Sequence, residues 1–131
     1  MEESTVMKKD ITDRTDIELL VRSFYAKVTA DTLIGPIFTD IAKVDWEKHL
    51  PVMFDFWENT LFQTSGYSGN PIKTHNKLNQ LFPLTRQHFE RWLLLFTSTV
   101  NDLFDGDTAE LAKQRALSIS TIMRIKLAEA Q

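Results

Sequence analysis

His75 closes the run Asn70-Pro71-Ile72-Lys73-Thr74-His75. Its imidazole is the side chain in this sequence best suited to ligating a metal ion or a haem iron. Asn70 and Pro71 suit an N-cap followed by a first helical position. His75 is therefore expected on a short helix between two loops, apart from the long apolar stripes. A backbone carbonyl near that helix could accept from the second ring nitrogen and fix the ring's orientation.

Three more polar groups lie on otherwise apolar helix faces. His49 falls in the stripe Trp46, His49, Leu50, Met53; taken alone it reads as a core histidine bonded to a carbonyl. Tyr25 and Trp92 sit on the inward faces of two other stretches, and taken alone each reads as a core aromatic. A buried phenol or indole still needs a hydrogen-bond partner. Together with an iron-ligating imidazole, the three suit a pocket for a small ligand that accepts hydrogen bonds. O2 on ferrous haem carries partial negative charge. Tyr25 can donate to it through its hydroxyl and Trp92 through its indole N–H, while His49 can shape access. Trp92 is donor-only and cannot itself ligate iron. Bonds to a charged acceptor are worth ~1.5–3 kcal/mol each, so two of them predict tight binding and slow release.

The surrounding wall would be Phe24, Phe38, Met53, Phe54, Trp57, Phe82, Phe89 and Phe96. Each is also an ordinary core residue, but the aromatic weight of the set suits a flat apolar plate such as a porphyrin. Lys73 and Arg91 are positioned to meet haem carboxylates at the rim; as solvated charges they need no further role. The third histidine, His88, reads as exposed or structural.

The elements that must hold these groups read as helical throughout, with no hairpin signal and no repeat. Residues 1–14 form a polar leader and residues 15–131 the domain. Thr15-Asp16-Ile17-Glu18 has capping-box spacing, and Ile17, Leu20, Val21, Phe24, Tyr25 and Val28 share one helical face. Gly35-Pro36 interrupts the pattern, and Ile34, Ile37 and Phe38 form an inward corner. Asp45 can cap the next helix. Pro51 would cost about 3 kcal/mol deep inside a helix, so the regular helix is expected from about Lys48, with Trp46 in its opening turn. Thr85 caps a helix whose face is Phe89, Trp92, Leu93, Phe96, Val100 and Leu103. Asp105-Gly106 turns the chain into a last helix carrying Ala112, Ala116, Ile119 and Met123 inward.

Composition narrows the field. A chain of 131 residues with 43% hydrophobic content builds one globular core. Fifteen basic and 18 acidic residues give a formal charge of −3, with no electrostatic case for nucleic acid or an anionic membrane. Without cysteine, disulfides, thiolate chemistry and covalent haem attachment through cysteines are excluded. The polar, acidic opening is unlike a signal peptide, and no apolar run reaches the ~20 residues of a membrane span; a cytoplasmic location is expected. A phosphate-binding glycine loop, an HExxH motif, paired di-iron carboxylates and a nucleophile elbow are all missing.

In order and spacing, the motifs resemble the truncated haemoglobins of the third group. The matching segments are Ser23-Phe24-Tyr25, Gly35-Pro36-Ile37-Phe38, Trp46-Glu47-Lys48-His49-Leu50-Pro51 with Phe56-Trp57, and Gly69-Asn70-Pro71 through His75. Pro83-Leu84-Thr85 through His88-Phe89-Glu90-Arg91-Trp92-Leu93 and Ala112-Lys113-Gln114-Arg115-Ala116 complete the set, which covers about residues 11 to 128. The separated Gly66 and Gly69, in place of Gly-Gly pairs, favour the third group over the first two, and Pro51 is at home there. The resemblance implies an all-α truncated globin, a two-over-two helical sandwich around one haem b. It implies His75 as proximal ligand, Tyr25, His49 and Trp92 as the distal set, and Phe38 packed on the haem.

The leading expectation is a monomeric haem protein that reversibly binds O2, CO and NO, serving oxygen or NO chemistry rather than bulk transport. The alternative is a haem-dependent redox enzyme, an NO dioxygenase or a peroxidase-like protein, drawing electrons from an external reductase. A cofactor-free helical interaction module is the third reading, and it predicts a protein with no Soret band after haem reconstitution.

Overall fold

The computed structural model describes residues 8–41, 43–63 and 84–130. Within them the chain runs through α1 (Arg14–Ala30), a π-helical turn (Ile37–Ile41), α2 (Trp46–Phe62), α3 (Arg86–Leu103) and α4 (Asp107–Ala130). α1 packs on α2 and α3 on α4; α1 also crosses α3, and α2 touches α4. Two helix pairs thus lie one over the other, the layered all-α arrangement expected of the sequence. Among the described residues no helix is long and apolar enough to cross a membrane.

α1 buries the six residues its periodicity marks: Ile17, Leu20, Val21, Phe24, Tyr25 and Val28. It starts earlier than the Thr15 capping-box spacing predicts. Asp13 is the N-cap and its carboxylate accepts from Asp16 N at 3.0 Å. Glu18, the residue that would close a Thr15 box, faces Arg14 Nε at 3.4 Å instead. Arg14 then ties α1 to α2 through Asp55 and Glu58, at 2.8 Å each.

Pro51 is accommodated inside α2, which begins at Trp46 rather than near Lys48. The missing N–H forfeits one bond in the second turn. Against that loss, the Asp45 carboxylate caps Glu47 N, Asp45 O accepts from His49 N at 2.8 Å, and Phe54, Trp57 and Leu61 are buried downstream. Burying three large apolar side chains is worth several kcal/mol in total, enough to outweigh the proline. Trp46 therefore belongs to the regular helix, one turn before His49.

The centre of the core is a column of rings. Phe96 of α3 is fully buried; it stacks on Trp57 of α2 at 4.6 Å and on Trp92 at 5.8 Å, and meets Phe24 of α1 edge-on at 5.2 Å. Each such pair contributes ~0.5–1.5 kcal/mol beyond its buried area. Three helices are thereby held at a fixed spacing around the residues that concern the site.

The segment before α1 also contributes to the core, because Ile11 is only 1% exposed. Asp10 accepts from Thr108 N at 2.9 Å and Ala109 N at 2.8 Å, two first-turn donors of α4 that have no partner within their own helix. Gly106, at φ +144°, lies so close that a Cβ there would meet the Asp10 side chain at 2.5 Å. Burial opposes ionisation of Asp10, but bonds from Thr108, Ala109 and Ile11 together outweigh it and hold the carboxyl below its usual range. Its stabilising effect is therefore complete above the ordinary aspartate value of about 3.9 and is lost as pH falls through the lower folded value. Asp10→Ala should cost ~1–2 kcal/mol at pH 7, the loss of a helix cap. In urea unfolding that gap should close as pH is lowered through the acid range; a gap independent of pH would contradict this role.

Candidate functional site

The polar groups singled out by sequence converge from three helices. Tyr25 projects from the buried face of α1 and is 9% exposed. His49, half-buried on α2, approaches it with Nε2 3.4 Å from the phenol oxygen and ring centroids 5.4 Å apart. Trp92, on α3, is half-buried and lies beyond Phe24. It does not stack on Tyr25; Phe24 stands between, 4.9 Å from the Tyr25 ring and 5.7 Å from the Trp92 ring. Phe38, on the π-helical turn, packs on Tyr25 at 6.0 Å.

Trp46, in sequence a member of the apolar stripe only, is a further neighbour. Its ring lies 5.1 Å from Tyr25, 5.6 Å from His49 and 6.2 Å from Phe38. The signal was its spacing three residues before His49, one turn along the same face. A groove of about 270 Å3, lined by Arg22, Tyr25, Ala26, Thr29, Trp46 and Leu50, runs between α1 and α2 and brings solvent to this corner.

The remaining expected residues fall in different places. Met53 is half-buried against the main core. Phe89 is buried with Met123 in a separate cluster bordered by Leu84 and Ile119. Arg91 forms an ion pair with Asp31 at 2.6 Å. His88 is half-buried and structural: its Nδ1 accepts from Thr85 N at 2.8 Å, standing in the capping box where Glu or Gln is usual. His75, Lys73 and Phe82 lie outside the described residues.

The chemistry of the corner follows from its donors. Burial pushes the Tyr25 phenol well above its ordinary range, so it stays protonated and able to donate at neutral pH. Its bond to His49 is long, at 3.4 Å. The Trp92 indole N–H has no hydrogen-bond partner among the described residues. A buried donor normally finds an acceptor; the buried Tyr25 hydroxyl with its long bond to His49, and the half-buried Trp92 N–H, suit a small acceptor held against an apolar plate. A haem carrying a diatomic ligand fits that description.

The sequence matches no family model. It is 30% identical over 118 residues to the group 3 truncated haemoglobin of Campylobacter jejuni, an overlap spanning 88% of this chain and 91% of that protein. The crystal structure of the group III truncated haemoglobin from Campylobacter jejuni matches the fold with a TM-score of 0.80 at 31% identity, over 92% of this chain and 95% of that one. Fold and sequence agree over nearly the whole length, and this chain belongs to the group III truncated haemoglobins.

Proposed function

We propose that this chain holds one haem b, with His75 as its proximal ligand, and reversibly binds O2, CO and NO on the side lined by Tyr25, His49 and Trp92. The family implies haem; the observation that supports the rest is the buried, protonated Tyr25 phenol beside His49, with the Trp92 ring on the other side of Phe24 and its N–H unpaired among the described residues. When bound, the haem supplies an iron whose open position takes a diatomic ligand. Tyr25 donates to that ligand from its hydroxyl and Trp92 from its indole. His49 orients the Tyr25 hydroxyl and shapes access. Phe24, Phe38, Met53, Phe82 and Phe89 form the apolar wall that keeps water out, and Lys73 meets a haem carboxylate at the rim. The protein acts as a monomer.

Two donors make release slow, which suits oxygen or NO chemistry better than delivery. The test is reversibility. The reduced, haem-loaded protein should change its visible spectrum on exposure to air and return to the starting spectrum on degassing, through several cycles. Irreversible bleaching or oxidation within the first cycle would contradict ligand binding as the function.

The same donors favour a second reading, NO dioxygenase or peroxidase-like turnover, because groups aimed at developing negative charge polarise bound oxygen. Joining NO and O2 to nitrate takes one electron per turnover, which an external reductase would supply. Rapid mixing of the O2-loaded protein with NO should then give stoichiometric nitrate; slow or sub-stoichiometric formation would leave binding as the sole role.

A further inference from the structure

Asp31 ends α1 and makes more bonds than a helix cap requires. It is 9% exposed at its side chain. Oδ2 accepts from Leu33 N and Ile34 N, both at 3.0 Å, while Oδ1 takes Arg91 Nη1 at 2.6 Å. Burial opposes its ionisation; the Ile34 N–H, Arg91 and the Leu33 N–H outweigh that and keep the carboxyl ionised. The turn it shapes is tight, since Gly35 packs so closely on α1 that a Cβ would sit 2.9 Å from the carbonyl oxygens of Val28 and Thr29. That turn leads into the π-helical segment, where Phe38 O accepts from Val44 N at 3.0 Å and the Phe38 ring meets Trp46 and Tyr25. At the other end of the ion pair, Arg91 immediately precedes Trp92.

We infer that Asp31 and Arg91 are a positioning pair for the ligand pocket, holding the Phe38 turn and the Trp92 helix at a fixed spacing on either side of Tyr25. The inference rests on the haem reading for its ligand. It gives Arg91 a different task from the haem-carboxylate contact that its sequence position predicts. A charge-assisted bond with one partner largely buried is the strong kind, and it carries direction as well as energy. Losing it lets α3 and the turn relax independently, so the Trp92 indole no longer meets the ligand at bonding distance.

The test uses Arg91→Gln, Asp31→Asn, the double variant and Arg91→Lys in the full-length, haem-loaded chain. O2 dissociation is read by displacement with CO, distal polarity by the CO stretching frequency, and haem retention by transfer to a haem-free acceptor protein. Each single variant should speed O2 dissociation about three- to tenfold, part of the value of one bond to a charged acceptor, and both should shift the CO stretch in the same direction. The double variant should go no further than either single one, Arg91→Lys should recover part of the effect, and haem retention should be unchanged. Off-rates and CO stretches equal to wild type would overturn the proposal, as would an effect on haem retention from Arg91→Gln alone, which would assign the guanidinium to a haem carboxylate. A haem-free arm separates failure of the pair from failure of the haem reading. The near-UV circular dichroism that Trp92 contributes, taken as wild type minus Trp92→Phe, should shrink equally in Arg91→Gln and Asp31→Asn. An unaltered Trp92 contribution in both overturns the pair even if the chain takes up no haem.

Discussion

Replacing His75 with alanine should leave a chain that folds but does not keep haem. In the proposed site the imidazole is the one covalent attachment between protein and iron, and the rest of the grip is apolar contact and carboxylate pairing. Loss of a residue that merely orients a metal ligand costs ~10–100-fold in metal affinity; removing the ligand itself should cost at least as much. Haem transfer to an acceptor protein should therefore be faster by about 100-fold or more, and free imidazole should restore part of the spectrum by filling the vacated position. Circular dichroism should show the helices still formed, because Phe24, Trp57, Trp92 and Phe96 join α1, α2 and α3 through their own ring contacts. A normal haem spectrum in His75→Ala without added imidazole would refute the assignment.

Tyr25→Phe should be the most damaging change on the opposite side of the haem. It removes one hydroxyl and keeps the ring that packs on Phe24, Phe38 and Trp46. The lost bond to a charged acceptor is worth ~1.5–3 kcal/mol, so O2 should dissociate roughly ten- to hundredfold faster. CO, which carries less charge when bound, should be affected less. The melting temperature should hardly move, because the phenol's interaction with His49 spans 3.4 Å and its loss relieves a buried polar group. An unchanged O2 off-rate would exclude Tyr25 as the donor; a large fall in melting temperature would mark it as a structural residue.

Local features were legible in the sequence, and features joining distant segments were not. The buried face of α1 is present residue by residue in the 3.6-residue period, and the Asp45 and Thr85 caps are readable because a cap acts within one turn. The start of α2 is not legible in sequence, because Pro51 carries a local penalty whereas the burial that offsets it comes from tertiary packing of Phe54, Trp57 and Leu61. The first helix starts ahead of the Thr15 box, with Asp13 as its cap and Glu18 turned to Arg14.

The same division holds at the site. Inward spacing identified Tyr25, His49 and Trp92, but spacing along one helix cannot say that Phe24 intervenes between Tyr25 and Trp92. Nor can it say that Phe89 turns towards Met123, 34 residues on, instead of joining the main aromatic column. The Asp31–Arg91 pair spans 60 residues, and the Asp10 bonds to α4 span 98 and 99. Such contacts depend on how the layers stack, which no single-helix periodicity encodes. Conversely, the role proposed for His75 rests on its sequence setting and on family membership.

That chemistry is tested most directly by titrating haem into the purified wild-type chain and following the Soret band. The account predicts saturation at one equivalent per chain, with a sharpened band distinct from free haem that is lost in His75→Ala. A linear rise with no break at one equivalent, leaving the spectrum of free haem, would contradict it.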